Sequence, residues 1–143
     1  MLEIALRTER KTQLVEITDD VRKALGGTNG AQAALVYVPH TTAGVTINER
    51  IDPELLDDFE DALQKIVDDG WRWRHEDQDG PNAPSHVRGS LIGPEVLVPL
   101  RDGELALGTY QGIFFCEFDG PRDRKVYLAT LSNGHDRGLT PDV

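Results

Sequence analysis

The stretch Val45-Thr46-Ile47-Asn48-Glu49-Arg50-Ile51-Asp52-Pro53-Glu54-Leu55-Leu56-Asp57-Asp58-Phe59 changes its apolar period partway along. Val45 and Ile47 alternate with Thr46 and Asn48, as on a strand with one buried face, so Asn48 should point away from the core side. From Asp52 onward the period becomes helical. Asp52 is a good N-cap, and Pro53 suits the first helical position, where its missing N–H costs nothing. Leu55, Leu56, Phe59, Leu63, Ile66 and Val67 recur at helical spacing, with Glu54, Asp57, Asp58, Glu60 and Asp61 on the other face and near the positive N-terminus. Gly70 is expected to end this helix.

Strand-like runs surround it. Leu2-Ile4-Leu6 alternates, and Leu14-Val15-Glu16-Ile17 reads as its paired neighbour across a turn at Glu9-Arg10-Lys11. Thr18 is placed to cap a short helix over Asp19 to Leu25, stopped by Gly26 and Gly27. Ala33 to Val38 reads as a largely buried strand. Trp71 to Ser90 is polar and carries Gly80, Pro81 and Pro84, so it reads as a long ordered loop, which in a compact domain usually has a functional reason. Strand-like runs follow at Glu95 to Leu100, Glu104 to Leu107, Gln111 to Phe118 and Lys125 to Leu131, the last two joined by an Asp119-Gly120 turn. Helices do not alternate with strands, so the expected class is α+β with a largely antiparallel sheet. Residues 1–131 form one expected domain, and 132–143 an expected C-terminal tail carrying His135, to which no role attaches.

The 143 residues suffice for a core without staples, and 28% charged with 38% hydrophobic residues is ordinary for a globular chain. No run reaches the roughly 18 apolar residues of a membrane span. Met1-Leu2-Glu3-Ile4 lacks the layout of a signal peptide. With the single Cys116, this predicts a reduced, cytoplasmic protein without membrane partners. A formal net charge of -10 argues against a nucleic-acid partner, because that binding rests on Lys and Arg neutralising phosphates.

Of four histidines, His40, His75 and His86 fall in polar, turn-like segments between apolar runs. Imidazoles converging from separate loops make a metal site or an acid–base site. Zinc commonly takes three protein ligands and keeps one open position, so these three are the candidate metal ligands, although no HExxH or CxxC spacing supports them. Glu49, at a strand end, is a candidate base or a partner for an imidazole, with Asn48 beside it. Asp52 is read as the helix cap. Arg122 and Arg124, two apart, are expected on one strand face, where their planar forks could grip phosphate oxygens; a charged hairpin tip is the plainer reading. Thr41, Thr42, Ser85 and Thr109 add hydroxyl donors.

Taken in order, the segments resemble a known family. His40 to Glu49 with Asp52-Pro53 is similar to the "HTTxxxxxNExxDP" signature of the YjbQ family. Asn82-Ala83-Pro84-Ser85-His86, preceded by His75, resembles that family's histidine-bearing segment. Leu107-Gly108-Thr109-Tyr110-Gln111-Gly112-Ile113 resembles "GTWQxI", with Tyr110 where the family usually has Trp. Glu117 to Arg124 resembles "ExDGPRxR". The resemblance spans about Leu2 to Leu131. It implies a compact α+β fold with a β-sandwich-like core and one to three helices, a homotrimer, and polar residues gathered in a cleft near a subunit interface, often with a metal ion. It also implies a thiamine-phosphate synthase activity, which joins a pyrimidine pyrophosphate to a thiazole phosphate and releases pyrophosphate. On that reading the partner is a small phosphorylated substrate, and the cofactor is a divalent metal ion, zinc first and magnesium with a pyrophosphate substrate. His40, His75 and His86 are carried over as metal or phosphate ligands, and Asn48, Glu49, Asp52, Thr109, Gln111, Arg122 and Arg124 as site residues. A non-catalytic metal or small-anion binding module and a metal-dependent hydrolase with Glu49 as base are the competing expectations.

Overall fold

The structure, a computed structural model, describes residues 1–27, 30–78 and 80–133. Its elements in order are β1 (Leu2–Arg7), β2 (Gln13–Glu16), α1 (Thr18–Leu25), β3 (Ala31–Tyr37), β4 (Ala43–Glu49), α2 (Pro53–Ile66), β5 (Glu76–Asp77), β6 (Gly80–Pro81), α3 (Ala83–Ile92), β7 (Glu95–Arg101), β8 (Glu104–Leu105), β9 (Gln111–Glu117) and β10 (Asp123–Ser132). One sheet has the order β1-β10-β3-β7-β8, a second β2-β9-β4, and β5 and β6 form a short ribbon. Every pairing is antiparallel. The α+β expectation holds: one mixed domain of curled antiparallel sheets with three helices.

Period-two alternation builds the core between the two larger sheets. Ala34 and Val36 of β3, Val98 of β7, Val126 and Leu128 of β10, Val45 of β4, and Ile113 and Phe115 of β9 are all buried there. Each of the Val, Leu, Ile and Phe side chains contributes about 1.5–3 kcal/mol when fully buried. α1 closes the same layer with Val21 and Leu25. The intervening residues of β9, Phe114 and Cys116, face the other way and pack with Leu14, Leu63 and Phe118, backed by Leu56, Phe59 and Ile92 of α2 and α3. The outward face of the five-stranded sheet carries Tyr37, Leu97 and Leu131, which are 41%, 59% and 46% exposed. Tyr37 stacks on Tyr127 of the neighbouring strand at 6.4 Å.

Several local expectations are corrected. β1 and β2 are not a hairpin. β1 pairs with β10 and β2 with β9, because the long β10 offers an antiparallel partner that buries Ile4 and Leu6. Thr18 does not cap α1 but lies in its first turn, where it donates to Glu16 (2.8 Å) and accepts from the N–H of Ile113 (2.9 Å). α2 starts as expected, with Asp52 accepting from the N–H of Glu54 at 3.0 Å. It stops at Ile66 rather than running to Gly70. The buried Arg88 takes the Val67 carbonyl at 2.7 Å and Asp69 at 3.0 Å, which satisfies the freed chain end without another helical turn. The segment from Trp71 to Ser90 is not one loop: it holds the β5–β6 ribbon and most of α3. Pro84 and Gly89 hide this helix in the sequence, yet Pro84 sits in its first turn and Gly89 lets it approach β4 closely. A Cβ at Gly89 would lie 3.0 Å from the Ala43 carbonyl. Asp119-Gly120 does not turn a hairpin either, since β9 and β10 lie in different sheets and the segment crosses between them. Ser132 belongs to β10, and the rest of the expected tail from 134, including His135, lies outside the described residues. Among the described residues, no helix is long and apolar enough to cross a membrane.

Candidate functional site

At one end of the core layer the alternation of β9 and β10 puts two charges where apolar residues would continue. Glu117 follows Ile113 and Phe115 on the inward face, and Arg124 precedes Val126 and Leu128. The Glu117 side chain is fully buried and the Arg124 side chain nearly so. They form a two-pronged pair: Nε donates to Oε2 at 2.6 Å and Nη2 to Oε1 at 3.0 Å. Nη2 also donates to the Thr42 hydroxyl at 2.8 Å. Burial pushes the Glu117 carboxyl above the usual carboxylate range, and the Arg124 fork and the Thr8 hydroxyl partly offset that shift.

Arg124 of this pair lines a cleft of about 400 Å³, with Glu117 buried behind it. The loop between β3 and β4 supplies His40, Thr41 and Thr42; the segment before β5 supplies His75; α3 supplies His86; and the crossing after β9 supplies Asp119 and Arg122. The three histidines expected to converge do line one cavity. They play different parts there. The Nε2 atom of His40 accepts the backbone N–H of Lys125 at 2.9 Å, so the neutral ring carries its proton on Nδ1. Burial, then the charges of Arg124 and Lys125, hold its pKa below the ordinary 6.5. His75 is exposed and His86 half-buried, and their rings meet edge to face at 4.9 Å. His86 comes from a helix, not the expected loop.

Arg122 and Arg124 both line the cleft, though not as two free forks on one strand. Arg122 precedes β10, and it donates from Nε to the Asp119 carbonyl (2.7 Å) and from Nη2 to the Asp119 carboxylate (2.9 Å). Asn82, almost fully buried at the start of α3, donates from Nδ2 to Asp77 (2.9 Å) and Asp119 (3.2 Å). Asp77, Asn82, Glu117 and Asp119 were given no site role from the sequence, although Asn82 opens the histidine-bearing segment and Glu117 and Asp119 stand in the ExDGPRxR motif. Glu117 had a readable signal, a lone carboxylate inside the apolar run Ile113-Phe114-Phe115-Cys116-Glu117-Phe118. Asp77 had none, since only the folding of β5 onto β6 brings it in.

The remaining candidates lie elsewhere. Asn48 and Glu49 end β4, roughly 20 Å along the strand from Ala43 at about 3.3 Å per residue. Asn48 accepts the N–H of Glu49, and Glu49 accepts the N–H groups of Ile51 and Asp52 at 3.1 and 3.0 Å. Glu49 therefore has a structural task, shaping the entry to α2, that its sequence position did not suggest. Thr109 and Gln111 share that end of the molecule, where Gln111 pairs with Glu49 across the strands and accepts the N–H of Gly108. Ser85 does not line the cleft; its hydroxyl donates to the Phe118 carbonyl at 2.6 Å and pins α3 to the end of β9.

The donor set does not fit a three-histidine metal centre. His40 has committed Nε2 to Lys125, and among the described residues no three His, Cys, Asp or Glu side chains are grouped to hold a metal ion. The cleft is instead a mixed pocket of imidazoles, paired guanidiniums and carboxylates, suited to a small polar ligand that exchanges protons or hydrogen bonds with its walls.

Residues 2–133 match the family described as UPF0047 protein YjbQ-like. The chain belongs to the YjbQ family. A UPF0047 protein of Archaeoglobus fulgidus is 40% identical over 130 residues, covering 91% of this chain and all of that one. The UPF0047 protein YugU of Bacillus subtilis is 40% identical over 134 residues, covering 90% and 96%. Among solved structures, a YjbQ/UPF0047 protein from Clostridium acetobutylicum superimposes with a TM-score of 0.84 at 40% identity, covering 92% of this chain and 100% of that one. A YbjQ-like protein of unknown function from Sulfolobus solfataricus gives 0.84 at 31% identity, covering 92% and 95%. The shared fold therefore extends over the cleft and both sheets.

Proposed function

We propose that the cleft of this YjbQ protein binds the phosphate or pyrophosphate group of a small phosphorylated molecule. The observation that carries this reading is the gathering of His40, Thr41, His75, His86, Arg122 and Arg124, from four separate segments, around one cavity. Guanidinium and imidazole N–H groups are suited to phosphate oxygens. The finer reading is a transferase of the thiamine-phosphate synthase type, in which the walls neutralise the charge that develops on a departing pyrophosphate. Turnover of a pyrimidine pyrophosphate with a thiazole phosphate tests it, and release of pyrophosphate that Arg124→Lys leaves unaltered would count against this cleft as the site. One observation favours a plainer reading, a binding module without turnover: the base expected from the sequence, Glu49, is engaged with backbone N–H groups away from the cleft. Binding of both phosphates without product would support it. The hydrolase reading loses ground for the same reason.

A homotrimer is part of the proposal. The exposed Tyr37, Leu97 and Leu131 offer an apolar face for a second copy, and a role for Asn48 or Glu49 in a cleft would require them to come from another subunit. Light scattering of the wild type and Leu97→Glu decides it: a wild-type trimer that dissociates in the variant is expected, and a wild-type monomer refutes it. A divalent ion, zinc or magnesium, is proposed to arrive with a phosphorylated ligand, not in a preformed centre. Elemental analysis of ligand-free, untagged protein should then find metal well below one per chain. A cytoplasmic setting fits the buried free thiol of Cys116, and fractionation of cells tests it.

A further inference from the structure

We propose that Glu117 is the positioning residue of the cleft: it clamps the Nε–Nη2 edge of Arg124 so that Nη1 is the guanidinium nitrogen presented to a ligand. The ligand half of this inference rests on the anion-binding reading above; the clamp itself does not. Three of the guanidinium's five N–H groups lie on the clamped side. Nε and one N–H of Nη2 meet the two oxygens of Glu117, and Nη2 reaches the Thr42 hydroxyl. Nη1 has no hydrogen-bond partner among the described residues and is not among the buried unpartnered atoms, and Arg124 lines the cleft, which leaves Nη1 as the donor free for a ligand there.

The surroundings are shaped to hold Glu117 in place. Gly120 passes directly over it. A Cβ at that position would lie 2.8 Å from both Cγ and Oε1 of Glu117 and would collide with the Arg10 carbonyl. Thr8, itself buried, ties down the start of the β10 segment, its hydroxyl donating to the Arg122 carbonyl at 3.2 Å and accepting the Arg122 N–H at 2.9 Å. Both partners stand on inward-facing positions of strands that continue as apolar core, so neither can swing into solvent. A buried pair of this kind is weak as a source of stability, because desolvating two ions offsets most of their attraction. Orientation is what it supplies. Arg124 therefore meets an oxyanion with a single aimed donor and not with a bidentate fork.

The experiment compares inorganic pyrophosphate binding by calorimetry in the full chain for the wild type and Glu117→Gln, alongside the ¹⁵N–¹H resonance of Arg124 Nε, assigned by its loss in Arg124→Lys. Gln removes a negative charge, so a purely electrostatic role for Glu117 predicts tighter binding. The clamp predicts the opposite: binding weaker by about tenfold, because a Gln amide NH2 opposes one guanidinium N–H and frees the guanidinium to rotate. The Nε–H signal should be resolved and slowly exchanging in the wild type and lost to exchange in Glu117→Gln. Should that variant fail to fold, Glu117→Asp keeps charge and polarity but withdraws the carboxylate by one methylene, and the same two losses are expected. Unchanged or tighter binding overturns the proposal, as does an Nε–H signal that survives in the variant. A wild type that ignores pyrophosphate overturns the anion reading, and the clamp then stands or falls on the Nε–H signal alone.

Discussion

The backbone N–H of Lys125 donates to Nε2 of His40 across 2.9 Å, tying the loop after β3 to the start of β10. The bond requires an unprotonated Nε2, so it can form only with the neutral ring. Protonating His40 breaks it beside the charges of Arg124 and Lys125.

A pH dependence of stability follows. Burial first, then those two charges, lower the folded-state pKa of His40 below 6.5. As pH falls, the unfolded chain takes up this proton before the folded one does. The stabilisation is therefore complete above about pH 6.5 and is lost as pH falls through the folded value. In His40→Gln the amide oxygen can still accept from Lys125 but cannot titrate. The melting temperature of the wild type should drop more steeply between pH 7 and 5 than that of His40→Gln. Parallel curves would refute this.

Arg124→Met removes one partner of a buried ion pair and leaves Glu117 without its counter-ion. The expected loss is about 3–5 kcal/mol in urea unfolding at neutral pH. It should shrink toward acid pH, where Glu117, its carboxyl already raised by burial, takes up a proton. The double variant Glu117→Leu/Arg124→Met leaves no buried charge and should recover most of the loss. A double variant as unstable as the single one would show that the pair, not the orphaned charge, carries the stability.

Asp52 caps α2 through the N–H of Glu54. Asp52→Ala should lose about 1 kcal/mol, while Asp52→Asn should stay near the wild type, because Asn caps nearly as well. Equal losses in both variants would point to the charge and not the cap.

Gly44, on the outward face of β4, abuts the turn after α3, where a Cβ would stand 2.7 Å from the Gly93 carbonyl and 3.1 Å from the Ile92 side chain. Gly44→Ala should cost about 1–3 kcal/mol through overpacking. Gly108→Ala meets only the movable side chain of Gln111, 3.3 Å away, and should stay within about 0.5 kcal/mol. Chemical unfolding of the two variants side by side checks the contrast.

The local elements that sequence periodicity announces are those whose stability is settled nearby. The alternation of Val45 and Ile47 and the Asp52-Pro53 start of α2 need only their own neighbours, and both stand as read. α3 was illegible because its reason for being helical is tertiary: Gly89 against Ala43, and the buried Arg88 reaching Val67 and Asp69. Strand partners were illegible for the same cause, since β1 chose β10, more than a hundred residues away, over the adjacent β2.

By itself the sequence determined which residues alternate, where α2 begins and the α+β class, and it singled out His40, His75, His86, Arg122 and Arg124, which line one cleft. Only the tertiary structure decided which partners these polar side chains meet. It spent His40 Nε2 on Lys125, paired Arg122 with Asp119 and Arg124 with Glu117, brought in Asp77 and Asn82, and left Asn48 and Glu49 at the far end of β4. The division has a physical basis. Periodicity and capping act over a few residues and are written in order along the chain, whereas a polar side chain takes whatever donor or acceptor the fold delivers within about 3 Å, and that partner's place in the sequence is arbitrary.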